Sequence, residues 1–151
     1  MYNKSPNLLA SHISENSIKP YNAGNEKPHF RTFGEFLAIK RREKEIPSTQ
    51  VTDALNISPG YYCDIEKGRR NPPPERDTLA KIVKVLRLTG DETDTFYDLA
   101  GKARDEAPPD LPEYINRNQV VRVALRLAKD VENEDDWRRF IHQLKNRSTG
   151  L

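Results

Sequence analysis

Chemistry-bearing residues are scarce in this sequence: it holds one cysteine, Cys63, and three histidines, His12, His29 and His142, in 151 residues. A lone cysteine closes no intramolecular disulfide, and histidines so far apart lack metal-ligand spacing. Long apolar runs are missing too. Nothing approaches the roughly 18 residues a membrane span needs, and the first thirty residues offer only Leu8-Leu9-Ala10, too short for a secretory signal. No segment of any length alternates apolar and polar residues, and no stretch repeats another, which argues against strands and repeat architectures. No nucleophile, base and orienting acid stand in a recognisable arrangement, so catalysis, a metal and a cofactor are not expected. The charges nearly cancel, 25 basic against 23 acidic for a net +2. A nucleic-acid surface would therefore be built from local clusters rather than a global field. These absences lead to the expectation of a soluble cytoplasmic protein that acts by binding.

What is present is polar and helical. The hydrophobic fraction is 35% and the charged fraction 32%, with a mean hydropathy of −0.86, which suggests that part of the chain stays solvated. Residues 1–31 have that character. They contain Asn3, Asn7, Asn16, Asn22 and Asn25 and no apolar period, and read as a flexible, disordered tail. Lys4, Lys19, Lys27 and Arg31 could serve it as a DNA-touching arm. Two basic clusters follow, Lys40-Arg41-Arg42 and Lys67-Gly68-Arg69-Arg70.

From Phe33 the apolar spacing becomes helical. Phe33, Phe36 and Leu37 share a face, with Thr32 as N-cap, and Glu45-Ile46-Pro47 interrupts the run. A second helix is expected over Ser48 to Leu55, with Val51 and Leu55 on one side. Asn56-Ile57-Ser58 is a three-residue break: Asn tolerates a left-handed turn and Ser58 is a good N-cap. Pro59 suits the first position of a third helix, which Gly68 would end. Asn71-Pro72-Pro73-Pro74 is a stiff connector. Leu79, Ile82, Val83 and Leu86 mark a fourth helix, and Thr89 with Glu92 has capping-box spacing for a fifth through Phe96, Leu99 and Ala100. Asp105 to Pro112 reads as an acid- and proline-rich linker. Two more helices are expected, Gln119 to Lys129 and Glu134 to Lys145, the latter striped by Trp137, Phe140, Ile141 and Leu144. The division is thus a tail (1–31), a five-helix unit (32–104), and a linker with C-terminal helices (105–151).

Two short helices joined by a tight turn inside a five-helix unit suit a helix-turn-helix. Val51, Leu55, Ile57, Tyr62 and Ile65 would make the apolar contacts between them, with Thr52 where the backbones approach. The run Ile57-Ser58-Pro59-Gly60-Tyr61-Tyr62-Cys63-Asp64-Ile65-Glu66-Lys67-Gly68, followed by Arg69-Arg70-Asn71-Pro72, closely resembles the Cro and phage-repressor (XRE) type of helix-turn-helix domain. The resemblance covers Phe33 to Ala103. Thr52 stands where the family usually has Ala, Asn56 where it has Gly, and Pro47-Ser48 where a Ser-Gln pair commonly opens the second helix.

The resemblance implies an all-α, lambda-repressor-like DNA-binding domain whose third helix enters the major groove of double-stranded DNA. Gly60, Tyr61, Asp64 and Cys63 would then face the DNA. Tyr61 suits a phosphate or a thymine methyl, and Asp64 could accept from cytosine N4. Lys67, Arg69 and Arg70 would hold phosphates. Ser48 and Thr49 on the second helix, Ser58 before the third and Asn71 after it complete the DNA-facing set. Arg41, also assigned to that set, would pair with Glu66 and so fix the recognition helix. The function implied is a transcriptional regulator, a repressor acting as a homodimer on a palindromic operator, with dimerisation in residues 109–146. Alternatives are the antitoxin of a toxin–antitoxin pair and an interaction module without DNA contact.

Overall fold

The computed structural model describes residues 29–130 and 133–150. The tail expected over residues 1–31, with the candidate arm residues Lys4, Lys19 and Lys27, lies outside the described residues but for its last three positions. All regular structure among the described residues is helical: α1 (Phe33–Glu43), α2 (Ser48–Leu55), α3 (Pro59–Glu66), α4 (Arg76–Val85), α5 (Gly90–Arg104), α6 (Leu111–Arg117), α7 (Gln119–Lys129) and α8 (Glu134–Ser148). None of these is long and apolar enough to cross a membrane.

Local chemistry sets the helix ends. Thr32 accepts a hydrogen bond from the Glu35 amide at 3.1 Å to start α1. Thr89 and Glu92 form the reciprocal capping box at the head of α5. Asn56 ends α2 with φ 53°, the left-handed conformation that its short polar side chain tolerates. Gly68 follows the cap of α3 with φ 71°, where a β-carbon would be strained.

The apolar core lies between Phe33 and Ala100. Phe33, Phe36, Leu37, Val51, Tyr62, Ile65, Leu79, Ile82, Leu86 and Phe96 are all buried. Phe33 and Phe36 of α1 close on Phe96 of α5 with ring centroids 5.0 and 6.3 Å apart. Burying a side chain of this kind stabilises the fold by roughly 1.5–3 kcal/mol. α1 packs on α3 and α5, while α2 packs on α3 and α4. This leaves α3 supported from two sides with one face outward.

The interruption expected at Glu45-Ile46-Pro47 lies between α1 and α2; Ile46 within it is buried, and its amide donates to the Arg41 carbonyl at 3.0 Å, so the turn folds into the core. One expectation needs correction. The linker expected over residues 105–112 gives way at Leu111 to α6, in which Pro112 sits in the first helical positions. Proline there forfeits no helical hydrogen bond, so it opens this helix rather than breaking one. Glu113 on α6 pairs with Arg76 at the start of α4.

Candidate nucleic-acid interface

The geometry of α3 follows from three turns of chemistry. Ser58 accepts from the Tyr61 amide at 3.1 Å, and Pro59 occupies the first helical position. Ile57 donates its amide to the Thr52 carbonyl at 3.1 Å, closing the turn on α2. Thr52 is buried and its hydroxyl donates to the Thr49 carbonyl at 3.0 Å. The hydroxyl is thus satisfied where the family usually carries Ala. Tyr62 and Ile65 then point into the core. Gly60 has open space around its α-carbon, and Tyr61, Cys63 and Asp64 are half-buried along the same helix.

Two contacts fix the height of α3 against α1. A β-carbon on Gly34 would lie 2.3 Å from the Ile65 carbonyl oxygen and 2.5 Å from that of Glu66. The backbone of α1 therefore touches the end of α3 directly. Nearby, Arg41 grips Glu66 through two donors, Nε to Oε1 at 2.6 Å and Nη2 to Oε2 at 3.1 Å. The third nitrogen, Nη1, donates to the Ile46 carbonyl at 3.1 Å. Donation to the Glu66 carboxylate raises the Arg41 pKa further. Burial and the Glu66 carboxylate push the Tyr62 hydroxyl upward as well. That hydroxyl lies buried beside the Arg41–Glu66 pair. The structure thus spends Arg41 on holding α3 and on the turn carrying Ile46.

Beyond α3 the chain turns back over it. The Asp64 carbonyl accepts from the amides of Arg69 and Arg70 at 2.8 and 3.2 Å. Its carboxylate lies 3.6 Å from Arg69 Nη1 and 3.7 Å from Arg70 Nε. The Arg70 guanidinium stands over the Tyr61 ring, 5.1 Å from its centroid, a cation–π distance. Tyr61, Asp64, Arg69 and Arg70 are thus one cluster, and Lys67, Arg69, Arg70 and Asn71 are exposed. Ser48, Thr49 and Ser58 are exposed at the starts of α2 and α3. Pro47 gives α2 no side-chain cap, and the Gln50 amide donates to the Pro47 carbonyl at 3.0 Å. The Asp64 link to both arginines was missed in the sequence, where the only clue was their five- and six-residue separation across a glycine turn.

Among the described residues no group of histidine, cysteine and carboxylate side chains is placed to hold a metal ion. Cys63 is half-buried within α3.

Comparison with known proteins agrees with this geometry. Residues 32–96 match a protein family described as a helix-turn-helix domain. The chain is also 34% identical over 58 residues to an ImmF control region 10 kDa protein of Bacillus phage phi105. That match takes in 38% of this chain and 62% of the relative. No solved structure matches the chain. With the turn at Asn56, the buried Tyr62 and Ile65 and the Arg41–Glu66 clasp in place, the geometry of residues 32–96 is that of the helix-turn-helix domain they match.

Proposed function

We propose that this chain is a DNA-binding transcriptional regulator, a repressor that binds a palindromic operator as a dimer. The observation that carries this reading is the two-sided character of α3. Tyr62 and Ile65 anchor it, while Gly60 and the Tyr61–Asp64–Arg69–Arg70 cluster occupy its other side and its end. An α-helix presented in this way fits the major groove, and two half-sites about one helical turn apart call for a two-fold protein. That a similar phage protein is named for a control region supports a regulatory role.

In this reading Gly60 and Tyr61 approach base edges, with Cys63 beside them. Ser48, Thr49 and Ser58 hold phosphate at the two helix starts, and Lys67, Arg69, Arg70 and Asn71 hold the backbone beyond α3. Asp64 acts mainly through the arginines: it fixes their direction and offsets part of their charge, and has less carboxylate to offer a cytosine. Arg41 positions α3 through Glu66 rather than reaching the DNA.

The test begins by sequencing DNA retained by the purified protein and measuring affinity for the recovered site against salt. Arg69→Ala and Arg70→Ala should each weaken binding on all sequences alike. Each should also flatten the slope of log affinity against log salt by about one unit. Asp64→Asn should raise affinity for random DNA and shrink the ratio of specific to random binding. An unchanged slope in both arginine variants would defeat the phosphate assignment, and a change of preference at a single base pair in Asp64→Asn would make Asp64 a base reader.

A further inference from the structure

Most side chains of α3 are already committed. Tyr62 and Ile65 are buried, Glu66 is clasped by Arg41, and the Asp64 carboxylate lies beside Arg69 and Arg70. What is left of the helix is Pro59, Gly60, Tyr61 and Cys63. None of its residues is Arg, Lys, Asn or Gln, the side chains that pair with guanine O6 and N7 or with adenine N6 and N7. The Tyr61 hydroxyl both donates and accepts, so it does not choose among bases, and the ring carries Arg70 across one face.

The buried line of α3 sets its outward one. Residues advance by about 100° each, so with Tyr62 and Ile65 inward, Gly60, Cys63 and Asp64 lie on the face turned from the core. Nothing stands within 4 Å of a β-carbon built on Gly60, and Pro59 beside it is exposed. Cys63 is half-buried, and a free thiol packs as a small apolar group. Pro59 and Cys63, four residues apart, share one side of the helix. The Ser58 hydroxyl at the rim accepts from the Tyr61 amide. The head of α3 is therefore a notch with a floor of backbone at Gly60 and an apolar wall, neither of which bears a charge. One group on the major-groove edge of DNA suits it, the 5-methyl of a pyrimidine; the others are polar donors and acceptors.

We propose that α3 recognises the 5-methyl group of a pyrimidine, in unmodified DNA a thymine, seated in the notch at Gly60. This deepens the DNA-binding reading above, on which it rests, by naming the group that the head of the helix takes. The missing side chain at Gly60 lets the helix backbone come close to the base, and Pro59 and Cys63 dry the methyl from the side.

The site recovered by sequencing retained DNA supplies the test. Each thymine is replaced singly by uracil, which lacks only the methyl, and each A·T pair by G·C with cytosine or 5-methylcytosine in place of the thymine. At one thymine or more, removing the methyl should weaken binding about fourfold, the factor that burying one such group gives. At the same position 5-methylcytosine should bind more tightly than cytosine by a similar factor. Gly60→Ala, for which the fold has room, puts a methyl of its own into the notch. It should lose the preference for thymine over uracil at that position or reverse it. Wild-type binding indifferent to the methyl at every thymine, or a Gly60→Ala chain that still favours thymine there, would overturn the proposal. A chain that retains no DNA at all would instead defeat the regulator reading, and the proposal would fall with it.

Discussion

Gly34 and Gly60 sit 26 positions apart in sequence and answer to different constraints. At Gly34 a β-carbon would strike backbone oxygens of α3, which have no side chain to swing aside. Gly34→Ala is therefore expected to destabilise the domain by about 1–3 kcal/mol, the usual cost of overpacking, and to weaken DNA binding by displacing α3. Gly60 has open space, so Gly60→Ala should stabilise the helix by about 0.5–1 kcal/mol while weakening binding, since in the proposed docking the added methyl stands toward the groove. Urea melts and binding isotherms on the two variants check both expectations. The Arg41–Glu66 pair is shielded, with side chains only 15% and 12% exposed. A double-mutant cycle should give a coupling above the roughly 0.2–1 kcal/mol of an exposed ion pair; a coupling near zero would reduce the clasp to a surface contact. Of these residues, Arg41 and Glu66 were legible through the family pattern. Gly34 was not, because a glycine's role in close packing depends on a backbone 31 residues further on.

At the scale of elements, the end of α1 and the head of α5 are joined by a charged knot. Lys44 donates to Glu92 at 2.6 Å and to the Arg87 carbonyl at 2.8 Å, and Lys40 lies 3.2 Å from the other Glu92 oxygen. Burial alone would push the Glu92 carboxyl up, but hydrogen bonds from Lys44, the Thr89 amide and Lys40 together hold it at about 2, against an ordinary 4.5. A carboxyl that is more acidic in the folded chain favours folding only while ionised. Its contribution is complete above about pH 4.5 and is lost as the pH falls toward 2. Denaturation midpoints measured at pH 6 and pH 3 should thus fall with acid in the wild type and fall less in Glu92→Gln; equal losses would remove Glu92 from the account. The capping box that places Glu92 was readable from Thr89 and its spacing, while its two lysine partners lie about fifty residues earlier and carry no local signature. The same distinction explains the linker. Local signs around Pro112 suit a breaker as well as a helix start, and the partner of α6, Arg76, lies far back in the chain.

For the molecule as a whole, the buried apolar side chains fall between Phe33 and Ala100, and α6, α7 and α8 contain no buried residue. The stability of the fold is therefore housed in the stretch from Phe33 to Ala100. A chain ending at Ala107 keeps the full core, together with the close packing of Gly101 against the backbone of residues 106 and 107. It should unfold cooperatively with a midpoint near that of the full chain, yet bind a palindromic site more weakly. A truncated chain that no longer unfolds as a unit would show that the C-terminal helices belong to the core. Apolar spacing was enough to place α1, α2, α4, α7 and α8, while Ser58, Pro59 and Gly68 marked α3 and the Thr89–Glu92 capping box marked α5. What covers the exposed Val120, Val123 and Leu127 of α7 is not written in any one chain's spacing, since a helix face looks the same whether its cover is its own domain or another copy.

Trp137 is the only tryptophan in the sequence, and it stands on α8, partly exposed and edge-on to Phe140 at 6.2 Å. Its light emission therefore follows the surroundings of the C-terminal helices rather than the core between Phe33 and Ala100. Association through α8 would dry the indole ring and move its emission to shorter wavelength. A dilution series in a fluorimeter then reads any association at α8 without a label, in the same sample whose circular dichroism follows the helices as a whole.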